Sequence, residues 1–174
     1  MQRKTGDMFD ATEQYILQQC NCMTLNGKGL AAAISQRYPY ADVYGQRRRE
    51  PGTRYAVLED RPIPGTVEIC DGNGPSVICL YGQYRPGKAT YANRYPEDFP
   101  DRTAERQVYF NEGLKALIEH FVETGESPTI AVPHGIGCGL AGGDWRVYQM
   151  LLENFAEKLR EQCGGVVVLY RLAV

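Results

Sequence analysis

At 174 residues the chain is long enough to build a full hydrophobic core and short enough for one domain. Apolar residues make up 43% and charged residues 23%, the balance of a folded globular protein. The formal net charge of −2 argues against a general nucleic-acid or membrane-surface binder, while leaving room for local basic patches.

No apolar run approaches a membrane span, and the first ten residues, MQRKTGDMFD, carry no apolar signal core. We therefore expect a cytoplasmic, reducing setting and no membrane partner. The six cysteines (Cys20, Cys22, Cys70, Cys79, Cys138, Cys163) contain no CxxC pair, and His120 and His134 lack metal spacing with them. This pattern reads as reduced thiols with no zinc site.

Residues 15–20 (YILQQC) predict a strand, and residues 21–29 (NCMTLNGKG) a polar glycine loop. Leu30, Ala33, Ile34 and Tyr38 recur at helical spacing. Pro39 interrupts them, and a second helical piece is expected over 41–49. Residues 66–70 and 76–81 are strands rich in Val and Ile, joined by the hairpin signal Asp71-Gly72-Asn73-Gly74. Residues 83–103 form a long segment crowded with Tyr, Pro, Gly and Arg. Such a loop is either a lid or binding surface, with Tyr84, Arg85, Tyr91, Arg94 and Tyr95 as contacts, or merely flexible. Residues 104–123 predict an amphipathic helix with Val108, Leu114, Leu117, Ile118, Phe121 and Val122 on one side. Residues 129–132 are a buried strand. Residues 145–162 are a helix that turns Tyr148, Leu151, Leu152, Phe155 and Leu159 to the core. Gly164-Gly165 stops it before a last strand at 166–172. The alternation predicts a three-layer α/β/α domain with a mixed central sheet over residues 1–174.

The run PHGIGCGLAGGDW, from Pro133 to Trp145, carries the chemistry. Gly135, Gly137, Gly139, Gly142 and Gly143 lie between a strand and a helix. Glycine admits positive φ and lets a ligand lie on the backbone. A glycine loop that opens a helix offers free N–H groups and the positive end of the helix dipole, the parts of a phosphate cradle. The alternative is a turn without a ligand. Both glycine loops follow strands and precede helices, so they converge on one crevice at the carboxyl ends of the strands.

These residues resemble the macro domain family along nearly the whole chain. Thr5-Gly6-Asp7-Met8-Phe9 resembles its early Gly-Asp-apolar motif. Gln19-Cys20-Asn21-Cys22 with Gly27-Lys28-Gly29-Leu30-Ala31 resembles its asparagine strand end and first glycine loop. Pro133 to Trp145 resembles its diphosphate loop, in wording close to the terminal ADP-ribose glycohydrolases and ADP-ribose-1″-phosphate phosphatases. Leu80 to Gln83 is similar to a strand that ends in Gln in parts of that subgroup.

The resemblance implies a macro-type domain that binds ADP-ribose or an ADP-ribosylated substrate, protein or nucleic acid. It implies metal-independent, cofactor-free hydrolysis of ADP-ribosyl or ADP-ribose-phosphate linkages, or else a non-catalytic reader. Ligand contacts would come from Asp7, Met8, Asn21, Gly27, Lys28, Gly29, Gly135, Ile136, Gly137, Cys138, Gly139, Leu140 and Tyr170. Asp7 would accept the adenine amine or cap a helix. Asn21 would hold a ribose hydroxyl or a water, or shape a turn. Lys28 would meet a terminal phosphate or stay solvated.

Where the family offers catalytic groups, this chain departs. No lysine stands near Leu80 to Gln83, the nearest being Lys88. Ala141 replaces an acid after Gly-Cys-Gly-Leu, and Gln18 and Gln19 stand where a histidine occurs. Lysine-type covalent catalysis is not expected. The catalytic candidates are Asn21, Lys28 and Asp144, and Asp144 equally suits a helix cap. Cys138 is either a thiol of lowered pKa or packing. His134 is either an acid–base group or an exposed loop residue. Arg47-Arg48-Arg49 is either a solvated helix end or a contact to modified nucleic acid.

Overall fold

A computed structural model describes residues 1–90 and 98–173. The strands are β1 (Gln2–Thr5), β2 (Tyr15–Asn21), β3 (Val67–Cys70), β4 (Ser76–Gln83), β5 (Thr129–Pro133) and β6 (Val166–Arg171). The helices are α1 (Leu30–Arg37), α2 (Thr103–Thr124) and α3 (Trp145–Cys163). The strands form one sheet in the order β1-β6-β5-β2-β4-β3. Every neighbouring pair is parallel except β3 with β4, so the sheet is mixed, as the alternation of elements predicts.

Side chains alternate across a strand, and the two halves of that alternation build two cores. On one face Leu17, Ile78, Leu80 and Ile130 meet Phe110, Leu114, Leu117 and Phe121 of α2, and Tyr148, Leu152 and Phe155 of α3. On the other face Ile16, Cys20, Val77, Cys79 and Tyr81 meet Ala31 and Ile34 of α1. The result is helix, sheet and helix in three layers. No helix among the described residues is long and apolar enough to cross a membrane.

Two expectations need correction, and one element was not foreseen. Residues 41–49 form no α-helix: a short 3₁₀ turn at Pro39–Ala41 leads into irregular chain. Val108 and Val122 are half-exposed, at 52% and 48%, while Phe110 and Gly113 supply the inner face of α2. Gly113 lets α2 approach the sheet, since a Cβ there would lie 2.5 Å from Leu80 Cγ. The edge strand β1 was not foreseen. All four of its residues are exposed, so no apolar period marks it, and its pairing to β6 creates it.

Candidate functional site

A cavity of about 740 Å³ opens at the carboxyl ends of β5, β2 and β4. Its wall brings together Asn21, Lys28 and Gly29 from the first glycine loop with Gly135, Ile136, Gly137, Gly139 and Leu140 from the second. The two loops nearly touch, for a Cβ on Gly29 would sit 3.5 Å from Leu140 Cδ1.

Asn21 shapes its own turn. Its Oδ1 accepts the backbone N–H groups of Met23 and Thr24, each at 2.9 Å, and its Nδ2 donates to Thr24 Oγ1 at 2.9 Å. Asn21 thus forms the turn and also lines the cavity. Behind the turn lies Arg47, buried at 9% exposure and not part of a solvated helix end. Its guanidinium donates to the carbonyls of Asn21 (2.9 Å) and Thr24 (2.8 Å) and stacks 4.6 Å over the Tyr44 ring. The Asn21 N–H donates to Tyr44 Oη at 3.0 Å.

The second loop needs glycine for two separate reasons. Gly137 has φ +76°, and a Cβ there would lie 2.6 Å from the Tyr148 ring. Gly139 meets nothing within 4 Å, so its missing side chain leaves open space over the backbone. Gly143 N–H closes the loop onto Gly137 O at 3.0 Å.

A buried ion pair joins this loop to the segment after β4. Arg106 and Asp101 are 3% and 1% exposed, with Nη2 2.7 Å from Oδ2 and Nε 3.1 Å from Oδ1. Arg106 also donates to the carbonyls of Gly87 (2.7 Å), Arg85 (3.2 Å) and Ala141 (3.4 Å). Asp101 accepts the N–H groups of Tyr84 and Arg85. Gln83 extends this wall, accepting from Gln19 Nε2 at 2.8 Å and donating to Arg85 O at 2.9 Å. The start of the long loop is thus pinned. Tyr84 is a core residue at 1% exposure, its hydroxyl accepting from Arg61, and Arg85 pairs with Asp98. The expected contacts Tyr91, Arg94 and Tyr95 lie outside the described residues.

Six expected site residues do not line the cavity. Asp7 caps a 3₁₀ turn, accepting from Phe9 N–H at 2.9 Å, and Met8 is buried in the core. Gly27 packs on α1, where its Cβ would lie 2.9 Å from Ala31 Cβ. Tyr170 donates its hydroxyl to Glu13 at 2.8 Å. Cys138 packs against the core, and burial pushes its thiol up to about 11, the reverse of activation. Asp144 is the N-cap of α3, accepting from Arg146 N–H at 3.0 Å and pairing with the Arg146 side chain. That hydrogen bonding holds its carboxyl below the ordinary range.

Among the described residues, no carboxylate lines the cavity, whereas Lys28 and Arg54 do. His134 lines it too, an exposed loop residue whose ring lies tilted at 48° to Trp145 with centroids 4.6 Å apart. Partial burial, and secondarily Arg171, lowers its pKa and so favours the neutral imidazole. The sequence reading missed Gln19, Thr24, Tyr44, Arg54 and Gln83 as lining residues. Gln19 and Gln83 carried a signal, as polar residues at the ends of apolar strands. The wall therefore offers backbone N–H groups, neutral amides and cations, a donor set for an anion.

No family model matches the chain. A curated relative, the DNA ADP-ribosyl transferase-DNA ADP-ribosyl glycohydrolase fusion protein of Thermosipho africanus, is 23% identical over 164 residues, 88% of this chain. The chain spans 38% of that relative's length. The macrodomain of Mycobacterium tuberculosis DarG superposes with a TM-score of 0.67 at 21% identity, covering 99% of this chain and 97% of that one. The macrodomain of Thermus aquaticus DarG gives 0.62 at 18% identity, covering 98% and 97%. The Trypanosoma brucei macrodomain in complex with ADP-ribose gives 0.63 at 12% identity, covering 98% and 62%. The sheet order, the three layers and these superpositions agree: the chain has the macrodomain fold.

Proposed function

We propose that the chain binds ADP-ribose in this cavity and hydrolyses the bond that links an ADP-ribosyl group to a substrate. The observation that carries the reading is the meeting of two glycine loops on one cavity that carboxylates do not line, among the described residues. Backbone N–H groups of the loop at 135–143 suit a diphosphate. The turn at Asn21 suits the ribose beyond it. The Trypanosoma brucei macrodomain that shares this fold is in complex with ADP-ribose, which supports this ligand.

Hydrolysis joins a water oxygen to the anomeric carbon of that ribose, breaks the linkage and delivers a proton to the leaving group. Among the described residues no carboxylate lines the cavity and burial works against the Cys138 thiolate, which leaves His134, whose lowered pKa favours the imidazole form that accepts a proton, as the acid–base side chain on the wall. The burden falls on orientation, with the Asn21 and Gln19 amides holding water and ribose in place. The name of the Thermosipho relative makes ADP-ribosylated DNA the first substrate to try. A non-catalytic reader is the second reading, favoured by that same lack of an acid–base carboxylate. Incubation with ADP-ribosylated DNA, ADP-ribosylated protein and ADP-ribose-1″-phosphate decides between them. Release of free ADP-ribose from one of the three supports hydrolysis. Tight binding without release from any of them overturns hydrolysis and leaves the reader.

A further inference from the structure

We propose that Asn26 is a site of spontaneous covalent modification, where deamidation places a carboxylate on the cavity wall and weakens anion binding there. The effect on binding rests on the ADP-ribose reading, whereas the reaction itself is independent of it. The chain holds two Asn-Gly pairs, at 26–27 and 73–74. In such a pair the following backbone nitrogen can attack the side-chain amide carbon, and glycine leaves that approach open because it has no Cβ. Asn26 lines the cavity, whereas Asn73 lies in the turn between β3 and β4 and does not.

Local structure favours the reaction at Asn26. The residue is exposed, and among the described residues its side-chain amide forms no hydrogen bond that would hold it still. Its backbone carbonyl accepts from Thr24 Oγ1 at 3.1 Å, which polarises the peptide and makes the Gly27 N–H a better acid. That N–H has no hydrogen bond to give up among the described residues. Asn21 is the contrast: Thr24 and Met23 hold both ends of its amide, and Cys22 follows it. In the reaction the Gly27 nitrogen bonds to Asn26 Cγ, the Cγ–Nδ2 bond breaks, and the Gly27 proton leaves with the amide nitrogen as ammonia. Water then opens the succinimide at either of its carbonyls and gives aspartate or isoaspartate, with no oxidant or cofactor. Both products oppose an anionic ligand. Among the described residues the wall carries no carboxylate, so either product sets a new negative charge against the diphosphate. Isoaspartate also lengthens the main chain where there is no slack, since a Cβ on Gly27 would already lie 2.9 Å from Ala31 Cβ. The turn that carries Lys28 and Gly29 must then shift.

The test ages the wild-type chain in mildly alkaline buffer and follows it by peptide mapping with mass spectrometry and by calorimetry with ADP-ribose. Deamidation is expected at Asn26 and Asn73 but not at Asn21, and the fraction of chains that keep the starting affinity should fall as Asn26 converts. Asn26→Gln, aged alike, should convert at Asn73 and keep its own starting affinity. Fresh Asn26→Asp, shown to be folded by its melting curve, should bind ADP-ribose about tenfold more weakly than fresh wild type, and added salt should narrow that gap. Asn26 left intact in a sample whose Asn73 has converted refutes the modification site. Full affinity in chains converted at Asn26, or in Asn26→Asp, refutes the effect on the cavity and leaves the ADP-ribose reading standing. If fresh wild type binds no ADP-ribose, that reading fails and takes the effect on binding with it, while the peptide map still decides whether Asn26 is modified.

Discussion

Replacing Arg106 with Met removes a charge that the structure uses twice, once for stability and once for the shape of the cavity. Arg106 neutralises Asp101 inside the protein and holds the carbonyls of Gly87, Arg85 and Ala141. With Arg106 gone, Asp101 stays buried at 1% exposure and retains the N–H groups of Tyr84 and Arg85 but no cation. Breaking a buried pair from one side costs about 3–5 kcal/mol, a large part of the roughly 5–15 kcal/mol that holds a typical domain together. Urea unfolding followed by tryptophan fluorescence reads this loss, since Trp145 begins the helix next to the glycine loop. The double variant Asp101→Asn/Arg106→Met should lose less than the sum of the two single variants, because each single change strands the other group. Where Arg106→Met still folds, ADP-ribose affinity should also fall, because Gly87 and Ala141 both line the cavity. A loss of less than about 1 kcal/mol with additive single variants would refute the argument that this pair is a buried clamp.

The two glycines separate folding from binding. Gly139→Val should leave the melting temperature nearly unchanged and abolish ADP-ribose heat, whereas Gly137→Val should also destabilise the fold, because its Cβ meets Tyr148. Equal melting temperatures for the two variants would contradict the contrast. Arg47→Lys should lower turnover, or affinity if the chain is a reader, since a lysine cannot hold the carbonyls of Asn21 and Thr24 with two parallel donors. Unchanged kinetics together with an unchanged Asn21 amide resonance would show that the turn stands without it. Asp144→Ala should cost about 1 kcal/mol of stability as a lost helix cap while leaving turnover within about twofold. A turnover loss of a hundredfold or more would return Asp144 to the chemistry.

The sequence foretold the layers because burial is written into the local pattern. The continuous apolar run in Ser76–Gln83 marks a strand buried on both faces, and helical spacing in Trp145–Cys163 records one buried face. It failed where pairing with a distant segment decides the structure. Gln2–Thr5 is exposed at all four residues and becomes a strand only beside Val166–Arg171. In the cavity, the glycine loops were legible since glycine marks a backbone need directly. Arg54 and Tyr44 were not, because each reaches the wall through tertiary contacts. Asp7 and Asp144 illustrate a different limit. An acid ahead of a helical turn reads alike as a cap and as a ligand contact, and both proved to be caps. Arg47 looked like part of a solvated basic run, yet it is buried behind Asn21 while its neighbour Arg48 pairs with Asp60.

The central claim is that ADP-ribose occupies the cavity between the two glycine loops. Isothermal titration of the wild-type chain with ADP-ribose and with AMP, repeated on Gly139→Val, tests it most directly. One-site binding of ADP-ribose, tighter than AMP and lost in a folded Gly139→Val, is the predicted result. No heat with ADP-ribose, or the same affinity in wild type and Gly139→Val, would contradict it.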